Sequence, residues 1–331
     1  MNLENKQVLI TGSDGFIGSH LVERFLKENC KIRAFVYYNS FNSWGWLDSL
    51  SKEQLNKIEV FPGDIRDSYT VRKAVKDVDI ICHLAALIGI PYSYIAPESY
   101  VDTNVKGTLN IIQAAKEYNP EKIIITSTSE TYGSALKIPI DEEHPYQPQS
   151  PYSASKIAAD HIAMSYYYSF KLPISIIRPF NTYGPRQSAR AIIPTIITQI
   201  LKKREEIELG NLYPTRDLTY VIDLCEAYIK MCQTSDIQGQ TINIGSSKEI
   251  SIKDLVYKIK ELMNSDIKIV SSTKRHRPET SEVSRLCADS KKAFDLLNWT
   301  PKYSLTDGLK ATIDWFSKDE NLDRYKLIYN V

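Results

Sequence analysis

Short β-branched runs alternate with longer amphipathic stretches through the first half of the chain. The runs cover residues 8–10, 32–36, 58–61, 80–83, 123–126 and 174–177. Strands that are apolar on both faces and separated by helices are typical of a parallel sheet that helices cover on both sides. Because the crossover between parallel strands is right-handed, the pattern predicts an α/β fold with a Rossmann-like, doubly wound parallel sheet.

The composition and the pattern of the sequence change after Arg178. Prolines at positions 179, 185 and 194, shorter elements and clustered arginines predict a smaller C-terminal substrate lobe over the carboxyl edge of the sheet. Residues 220–233 have the pattern of a helix that packs back on the first lobe, so we expect the two lobes to be interleaved. We assign residues 1–178 and about 217–245 to a dinucleotide-binding domain, and about 179–216 and 246–325 to the substrate lobe.

The first run leads into a glycine-rich loop, and a helix is expected from about Ser19. A GxxGxxG motif at such a junction turns tightly, lets the backbone approach a pyrophosphate, and presents the helix N-terminal amides to its charge. The motif predicts a dinucleotide site formed by Gly12, Asp14, Gly15, Phe16, Ile17 and Gly18.

Further cofactor contacts are expected where the later strands end. They are Asp64 and Ile65 beside the adenine, Leu84, Ala85 and Ala86 after the fourth strand, and Thr126 at the end of the fifth. Small residues after the fourth strand allow a close approach to the cofactor, although packing alone also selects small residues there.

The second strand ends in Tyr37, Tyr38, Asn39 and Ser40, where an acid or an arginine usually selects between NAD and NADP. No acid is present to repel a 2′-phosphate, and Asn39 and Ser40 can bond one. We therefore expect the site to accept NADP(H) at least as well as NAD(H). The alternative is that these are ordinary loop residues.

Tyr152 and Lys156 are four residues apart, which places them on one face of a helix that follows Pro151. A cation beside a phenol lowers the pKa of the phenol, which can then take a hydroxyl proton while hydride leaves the same carbon.

The fifth strand ends in Thr128, Ser129 and Glu130. A carboxylate at a buried strand end is unfavourable unless it has a proton to move or a partner. The alternative is that Glu130 caps a helix or pairs with Lys156.

Composition excludes several classes of function. The chain has 41 Lys plus Arg residues against 40 Asp plus Glu residues. This balance gives no overall positive charge of the kind that favours binding to nucleic acids or membrane surfaces. The five scattered cysteines contain no CxxC pair, and we expect no metal site and a reducing compartment. The polar first residues and the lack of a long apolar stretch favour a cytoplasmic protein.

Together these motifs resemble those of extended short-chain dehydrogenase/reductases, in the NAD-dependent epimerase/dehydratase family. The resemblance runs from the glycine loop through His83-Leu84-Ala85-Ala86, Asn104 and Tyr152/Lys156 to Arg178-Pro179-Phe180-Asn181 and Arg216-Asp217. It implies redox-assisted chemistry on a nucleotide-activated sugar, with Thr128, Tyr152 and Lys156 as the core catalytic set.

The resemblance also implies the contacts to the sugar nucleotide. Asn181 and Ile193 approach its diphosphate, and Arg216 and Arg277 bind the phosphates. Arg186 and Arg190 lie in the same arginine-rich lobe, and a diphosphate needs such forked donors, although a solvated basic face is the alternative. Tyr92 and Glu282 complete the expected substrate contacts.

The subtype is read from residues 128–130. Epimerases usually carry no carboxylate there, whereas sugar-nucleotide 4,6-dehydratases and uronate decarboxylases do. The Thr-Ser-Glu sequence resembles that of GDP-mannose 4,6-dehydratases, as do Arg277-Pro278 followed by Glu282-Val283, and Ser40-Phe41-Asn42-Ser43. Residues 39–47 and 178–190 resemble the bacterial dehydratases of legionaminic-acid synthesis, which act on GDP-N-acetylglucosamine. The dTDP-glucose dehydratases have Asp where Ser129 stands, so the acid that protonates the leaving hydroxyl is left open.

Three other functions stay open beside a 4,6-dehydratase: a uronate decarboxylase, a 4-epimerase, and a redox-sensing binding protein without catalysis. Tyr152, Lys156 and Glu130 argue against the last, since a binding protein has no use for them. Residues 99–118 and 152–170 carry apolar side chains on more than one face, which predicts a homodimer formed through two helices per subunit.

Overall fold

The computed structural model describes residues 1–272, Arg275 and 278–326, and Arg277 therefore lies outside the described residues. Seven parallel strands form the main sheet: β1 (Gln7–Thr11), β2 (Lys31–Tyr37), β3 (Ile58–Gly63), β4 (Ile80–His83), β5 (Lys122–Thr126), β6 (Ile174–Pro179) and β10 (Thr241–Ile244). Their order is β10-β6-β5-β4-β1-β2-β3. The predicted Rossmann-like doubly wound sheet is confirmed, and each of the six apolar runs is a strand.

The helices are α1 (Phe16–Leu26), α2 (Lys52–Leu55), α3 (Ser68–Val75), α4 (Ile90–Ile95), α5 (Pro97–Tyr100), α6 (Gly107–Tyr118), α7 (Pro151–Phe170), α8 (Ile192–Leu201), α9 (Val221–Gln233), α10 (Ile252–Leu262), α11 (Lys291–Leu297), α12 (Leu305–Phe316) and α13 (Asp319–Leu322). Alternate residues of each strand face opposite layers. Leu9 and Ile81 pack with α3, α6 and α7, whereas Val8 and Ile80 pack with α1 and α9.

Two smaller sheets build the C-terminal lobe. One contains β7 (Asn181–Tyr183), β9 (Thr215–Tyr220) and β11 (Glu249–Ser251), and the other pairs β8 (Glu206–Leu209) with β12 (Lys268–Ser271). Their apolar residues belong to the same buried cluster as α1 and α9. The buried cluster that contains α1 and α9 is thus continuous beneath both lobes.

Two helix boundaries differ from the sequence prediction. Helix α1 begins at Phe16 rather than near Ser19, so Gly18 lies inside its first turn. The helix expected over residues 99–118 contains a π turn, Val101–Lys106, between α5 and α6. π turns occur frequently at functional sites. This one carries the buried Asn104.

No helix within the described ranges is long and apolar enough to cross a membrane. The five cysteines are free thiols, all of them buried. Across residues 1–272 and 278–326, no group of three or more His, Cys, Asp or Glu side chains is arranged to hold a metal ion.

Candidate active site

The glycine loop after β1 forms a cradle that side chains would fill. Gly12 has a φ of +70°, and a Cβ there would lie 3.0 Å from the backbone nitrogen of Ala85. A Cβ on Gly18 would lie 2.1 Å from the carbonyl oxygen of Gly12. Gly15 precedes α1, and no described side chain caps this helix N-terminus. The free amides and the close backbone approach fit the pyrophosphate of a dinucleotide.

The loop after β2 packs against this cradle. The backbone nitrogen of Trp46 donates a 3.0 Å hydrogen bond to the carbonyl of Asp14, and the Trp46 ring lies 5.4 Å from that of Trp315 in α12. Tyr38 is 70% exposed. The side-chain amide of Asn39 donates to the carbonyls of Tyr37 and Ser43, so Asn39 stabilises its own loop.

Asp64 follows β3, as predicted for a residue beside the adenine, and it is paired with Arg66 at 2.6 Å. That guanidinium holds the pKa of the Asp64 carboxyl below its usual range. Arg66 was not among the predicted cofactor contacts. Its position two residues after Asp64 was the signal in the sequence that could have indicated it. Ile65 is buried and packs beneath Gly107 of α6.

His83 at the end of β4 holds the strand ends together. Its Nδ1 lies 2.8 Å from Thr11 Oγ1, which accepts hydrogen bonds from the backbone nitrogens of Leu84 and Ala85. Its Nε2 lies 3.1 Å from the hydroxyl of Thr108, which donates to the carbonyl of Asn104. These partners place the ring proton on Nε2, and burial lowers the pKa of His83 to about 3. The neutral ring fixes the backbone where the cofactor is expected.

Tyr152 occupies the first turn of α7, which begins at Pro151 behind a capping box formed by Ser150 and Ser153. Tyr152 is buried, and the ring of Tyr100 meets it edge-on at 6.2 Å. Burial raises the pKa of the phenol, whereas a hydrogen bond with the Thr128 side chain lowers it. The predicted partners Thr128 and Tyr152 are therefore together, and Tyr100 is a neighbour that the sequence analysis missed.

Lys156 lies one turn further along α7 and is buried. Its Nζ donates a 2.6 Å hydrogen bond to the carbonyl of Thr126, and the Thr126 hydroxyl lies 2.6 Å from that of Tyr228. Burial lowers the pKa of Lys156, and the charge of Asp160 opposes that shift. Lys156 thus donates its hydrogen bond to the end of β5. The two partners considered for it from sequence, the phenol of Tyr152 and the carboxylate of Glu130, do not receive this hydrogen bond.

Glu130 lies in a single 3₁₀ turn, Ser129–Tyr132, whose N-cap is Thr128. The residue is only 8% exposed. No described side chain donates a hydrogen bond to its carboxylate, and no described cation pairs with it. Its negative charge acts on the phenol of Tyr152. The alternative that Glu130 is a cap or a partner of Lys156 does not hold, so this buried carboxylate is available to a substrate.

The residues predicted to contact the substrate include one buried acceptor without a partner and several arginines that contact other residues. The side-chain carbonyl oxygen of Asn181 is buried and accepts no hydrogen bond from the described residues. The guanidinium of Arg190 lies against Gly89, close to the phenol of Tyr100. Tyr92 packs in the same cluster as Tyr152. Tyr92 and Tyr100 thus lie beside Tyr152, and Arg190 lies beside Tyr100.

Four residues predicted to contact the substrate have contacts within the protein. Arg186 pairs with Glu23 of α1 at 2.9 Å. Arg216 pairs with Glu282 at 3.3 Å, and Asn211 donates to the same carboxylate. The Ile193 side chain is buried in the core, so only its backbone is left to face a ligand.

Residues 9–312 match the GDP-mannose 4,6 dehydratase family. The chain is 32% identical over 329 residues to the dTDP-D-glucose 4,6-dehydratase of Homo sapiens, which covers 97% of this chain and 92% of that protein. It is 32% identical to the UDP-N-acetyl-alpha-D-glucosaminuronate decarboxylase of Bacillus cytotoxicus, covering 96% of this chain and 99% of that protein.

Among solved structures, the UDP-glucuronic acid 4-epimerase from Bacillus cereus, in complex with UDP-glucuronic acid and NAD, matches with a TM-score of 0.83 and 28% identity. The match covers 93% of this chain and 98% of that one. By their names, these three similar proteins catalyse three different reactions on nucleotide sugars. The reaction of this chain must therefore be inferred from its own side chains.

Proposed function

Since the chain belongs to the GDP-mannose 4,6 dehydratase family within the NAD-dependent epimerase/dehydratase superfamily, we propose that it is a sugar-nucleotide 4,6-dehydratase. Its substrate is GDP-N-acetylglucosamine, which it converts to the 4-keto-6-deoxy product. The reaction serves the synthesis of legionaminic acid or a related surface glycan, as the resemblance of residues 39–47 and 178–190 implies.

The buried carboxylate of Glu130 carries this proposal. Tyr152 is the acid-base group for a C4 hydroxyl, and a 4-epimerase needs no second proton acceptor beside it. Glu130 is 8% exposed, has no partner among the described side chains, and is close enough to act on the Tyr152 phenol. A carboxylate kept in this position without a partner has a proton to move.

The steps follow from these groups. A nicotinamide dinucleotide held over Gly12, Gly15 and Gly18 would supply a hydride acceptor for C4 and a hydride donor for C6. Tyr152 takes the proton of the C4 hydroxyl, and Thr128 orients the phenol through their hydrogen bond. The resulting ketone acidifies the C5 proton, which Glu130 removes. C6 then loses its hydroxyl group, which leaves as water with one proton, equal in number to the proton that Tyr152 has taken. When C6 receives hydride, the proton on Glu130 returns to C5, so the sugar loses water without net oxidation.

The diphosphate needs donors and the sugar hydroxyls need acceptors. Arg190 lies beside Tyr100, and we assign it to a phosphate. Asn181 offers a buried oxygen that has no partner among the described residues. We assign Arg216 to the phosphates as well, with its charge shared with Glu282. Arg277 keeps the role that the family resemblance gives it, outside the described residues.

For the cofactor, we propose that NADP(H) binds at least as well as NAD(H). Positions 37 and 38 hold tyrosines, so neither supplies a carboxylate that would repel a 2′-phosphate. Asn39 contributes less than the sequence indicated, because its amide is used within the loop. Arg66 at the end of β3 offers a cation instead, with its charge shared with Asp64.

For the assembly and its location, we propose a cytoplasmic homodimer formed through α6 and α7. The end of α7 leaves Tyr168 and Phe170 exposed, at 66% and 47%. Such aromatic side chains are enriched where subunits meet. Free cysteines suit a reducing compartment. A monomeric mass in light scattering at micromolar concentration contradicts the dimer.

Product masses from a panel of sugar nucleotides test the reaction class. A product that has lost one water supports the dehydratase. Loss of carbon dioxide from a uronate identifies a decarboxylase instead, and a product of unchanged mass with inverted C4 identifies an epimerase.

A further inference from the structure

A buried ion pair lies behind the segment that carries Thr128 and Glu130. Arg178 on β6 and Asp160 on α7 meet at 2.8 Å, and their side chains are 0% and 2% exposed. Such a pair loses its hydration, so its net contribution to stability is small, and its best-supported use is to specify one arrangement of the groups around it. Neither residue has a role in the proton transfers proposed above.

The pair holds both ends of residues 127–132. At the first end, the Ser127 hydroxyl donates to the Asp160 carboxylate and accepts from Arg178 Nε at 3.3 Å. At the other end, Arg178 Nη1 donates to the Tyr132 hydroxyl at 2.7 Å, and that hydroxyl donates to Asn243 at 2.8 Å. Thr128 and Glu130 lie between these two anchors.

The same pair acts on the catalytic helix. Asp160 follows Lys156 by one turn of α7, and its negative charge raises the pKa of Lys156 against the effect of burial. Its charge also acts on Tyr152. The pair therefore connects the acid-base group for C4 to the base for C5, which come from different elements.

We propose that Arg178 and Asp160 are positioning residues that fix the Glu130 carboxylate relative to Tyr152, with Tyr132 as their contact to the 3₁₀ turn. This inference rests on the proposed dehydratase reaction. Small displacements of a reacting group reduce rates strongly, since the near-attack geometry is lost. Loss of the Tyr132 anchor should therefore impair the step of Glu130 more than the step of Tyr152.

Two matched variants test the proposal, because two phenols accept hydrogen bonds from Arg178. Tyr132 lies in the Glu130 turn, and Tyr146 lies outside it and accepts from Arg178 Nη2 at 3.1 Å. Both rings lie near the guanidinium, at 4.7 and 5.2 Å. Tyr132→Phe and Tyr146→Phe each remove one hydroxyl, and both keep the ion pair that Asp160→Asn would disrupt with a risk to folding.

We expect Tyr132→Phe to lower kcat by about a hundredfold with KM within about twofold, and to accumulate reduced cofactor on addition of substrate. Tyr146→Phe should keep kcat within about twofold. Assays run well below both melting temperatures separate positioning from stability. Equal kcat values for the two variants, or a slow Tyr132→Phe without accumulation of reduced cofactor, overturn the inference.

The wild-type protein distinguishes this inference from the proposed function. If it forms no dehydrated product but does form an epimerised or decarboxylated one, the proposed function is wrong. The two variants are then compared on that product, where an unequal loss of kcat supports the positioning pair and an equal one contradicts it.

Discussion

The ammonium of Lys156 donates a 2.6 Å hydrogen bond to the backbone carbonyl of Thr126, the last residue of β5. Lys156 is thereby attached to the strand that leads into Thr128 and Glu130. Burial affects the pKa of the Tyr152 phenol most, followed by the hydrogen bond with Thr128 and the charge of Glu130. The cation and the phenol are thus placed by the same strand end.

Replacement of Lys156 by Met should abolish most activity without loss of stability. Burial lowers the pKa of Lys156 below its unfolded value of 10.5, so below the folded pKa the folded state carries the unfavourable burial of a charge. That penalty decreases as pH rises from the folded pKa toward the unfolded one. Met removes it, while kcat should fall by about 10²- to 10⁴-fold.

Lys122→Met is the control for this variant. Lys122 is also buried, its pKa is also lowered by burial, and its ammonium donates to the carbonyls of Met231 and Thr234. Because it lies at the start of β5, we expect normal kcat. Urea midpoints and steady-state kinetics of both variants decide the matter, and full activity of Lys156→Met contradicts its assignment.

Glu130→Gln should stop product formation yet keep cofactor binding and the oxidation at C4. The amide is close in size to the carboxylate but cannot take the C5 proton. Absorbance of reduced nicotinamide should therefore appear on addition of substrate and persist. Glu130→Asp keeps the carboxylate and should recover part of the turnover. Wild-type turnover of Glu130→Gln would remove this residue from the mechanism.

His83 should make the fold less stable as the solution is acidified. Its folded pKa of about 3 lies below the unfolded value of 6.5. Between these values the unfolded state binds a proton that the folded state does not, so stability falls as pH falls through this window. From pH 7 to pH 5 the loss is about 2 kcal/mol.

Urea denaturation of the wild type and His83→Gln at both pH values isolates this contribution. Other groups titrate alike in the two proteins, so the variant should lose about 2 kcal/mol less between pH 7 and pH 5. The same pH dependence in both proteins means that His83 is protonated in the fold.

The sheet was predictable because each strand is a short, local run of β-branched residues. The pattern at residues 80–83 or 123–126 needs no distant information, since a strand buried on both faces is apolar throughout. The glycine loop is equally local. Its requirement for glycine comes from the turn itself and from the backbone of Ala85, which follows another predicted strand.

The arginines were not predictable in the same way. The ion pair of Arg186 with Glu23 could not be read from the sequence, because Glu23 is 163 positions away, on α1. The sequence shows Arg178 only as part of a motif. Its contacts could not be predicted, because Ser127, Tyr132 and Asp160 lie on separate elements. One signal was available: Asp160 follows Lys156 by one helical turn.

Preference for the guanine base is the last prediction. Its basis is the resemblance of Arg277-Pro278 with Glu282-Val283, and of residues 39–47, to GDP-sugar dehydratases. A purine offers more stacking area and more polar edge atoms than uracil. A lobe built for it loses several kcal/mol with the smaller base, because buried polar groups are left unpaired.

We expect kcat/KM to favour a GDP-linked N-acetylhexosamine over the UDP- and dTDP-linked sugars by at least roughly a hundredfold. Inhibition by GDP and by UDP isolates the base, since both carry the same ribose diphosphate. GDP-mannose compared with GDP-N-acetylglucosamine isolates the sugar. Equal or better turnover of a UDP-sugar contradicts the base assignment and leaves the dehydration by Tyr152 and Glu130 intact, because neither residue is placed at the base.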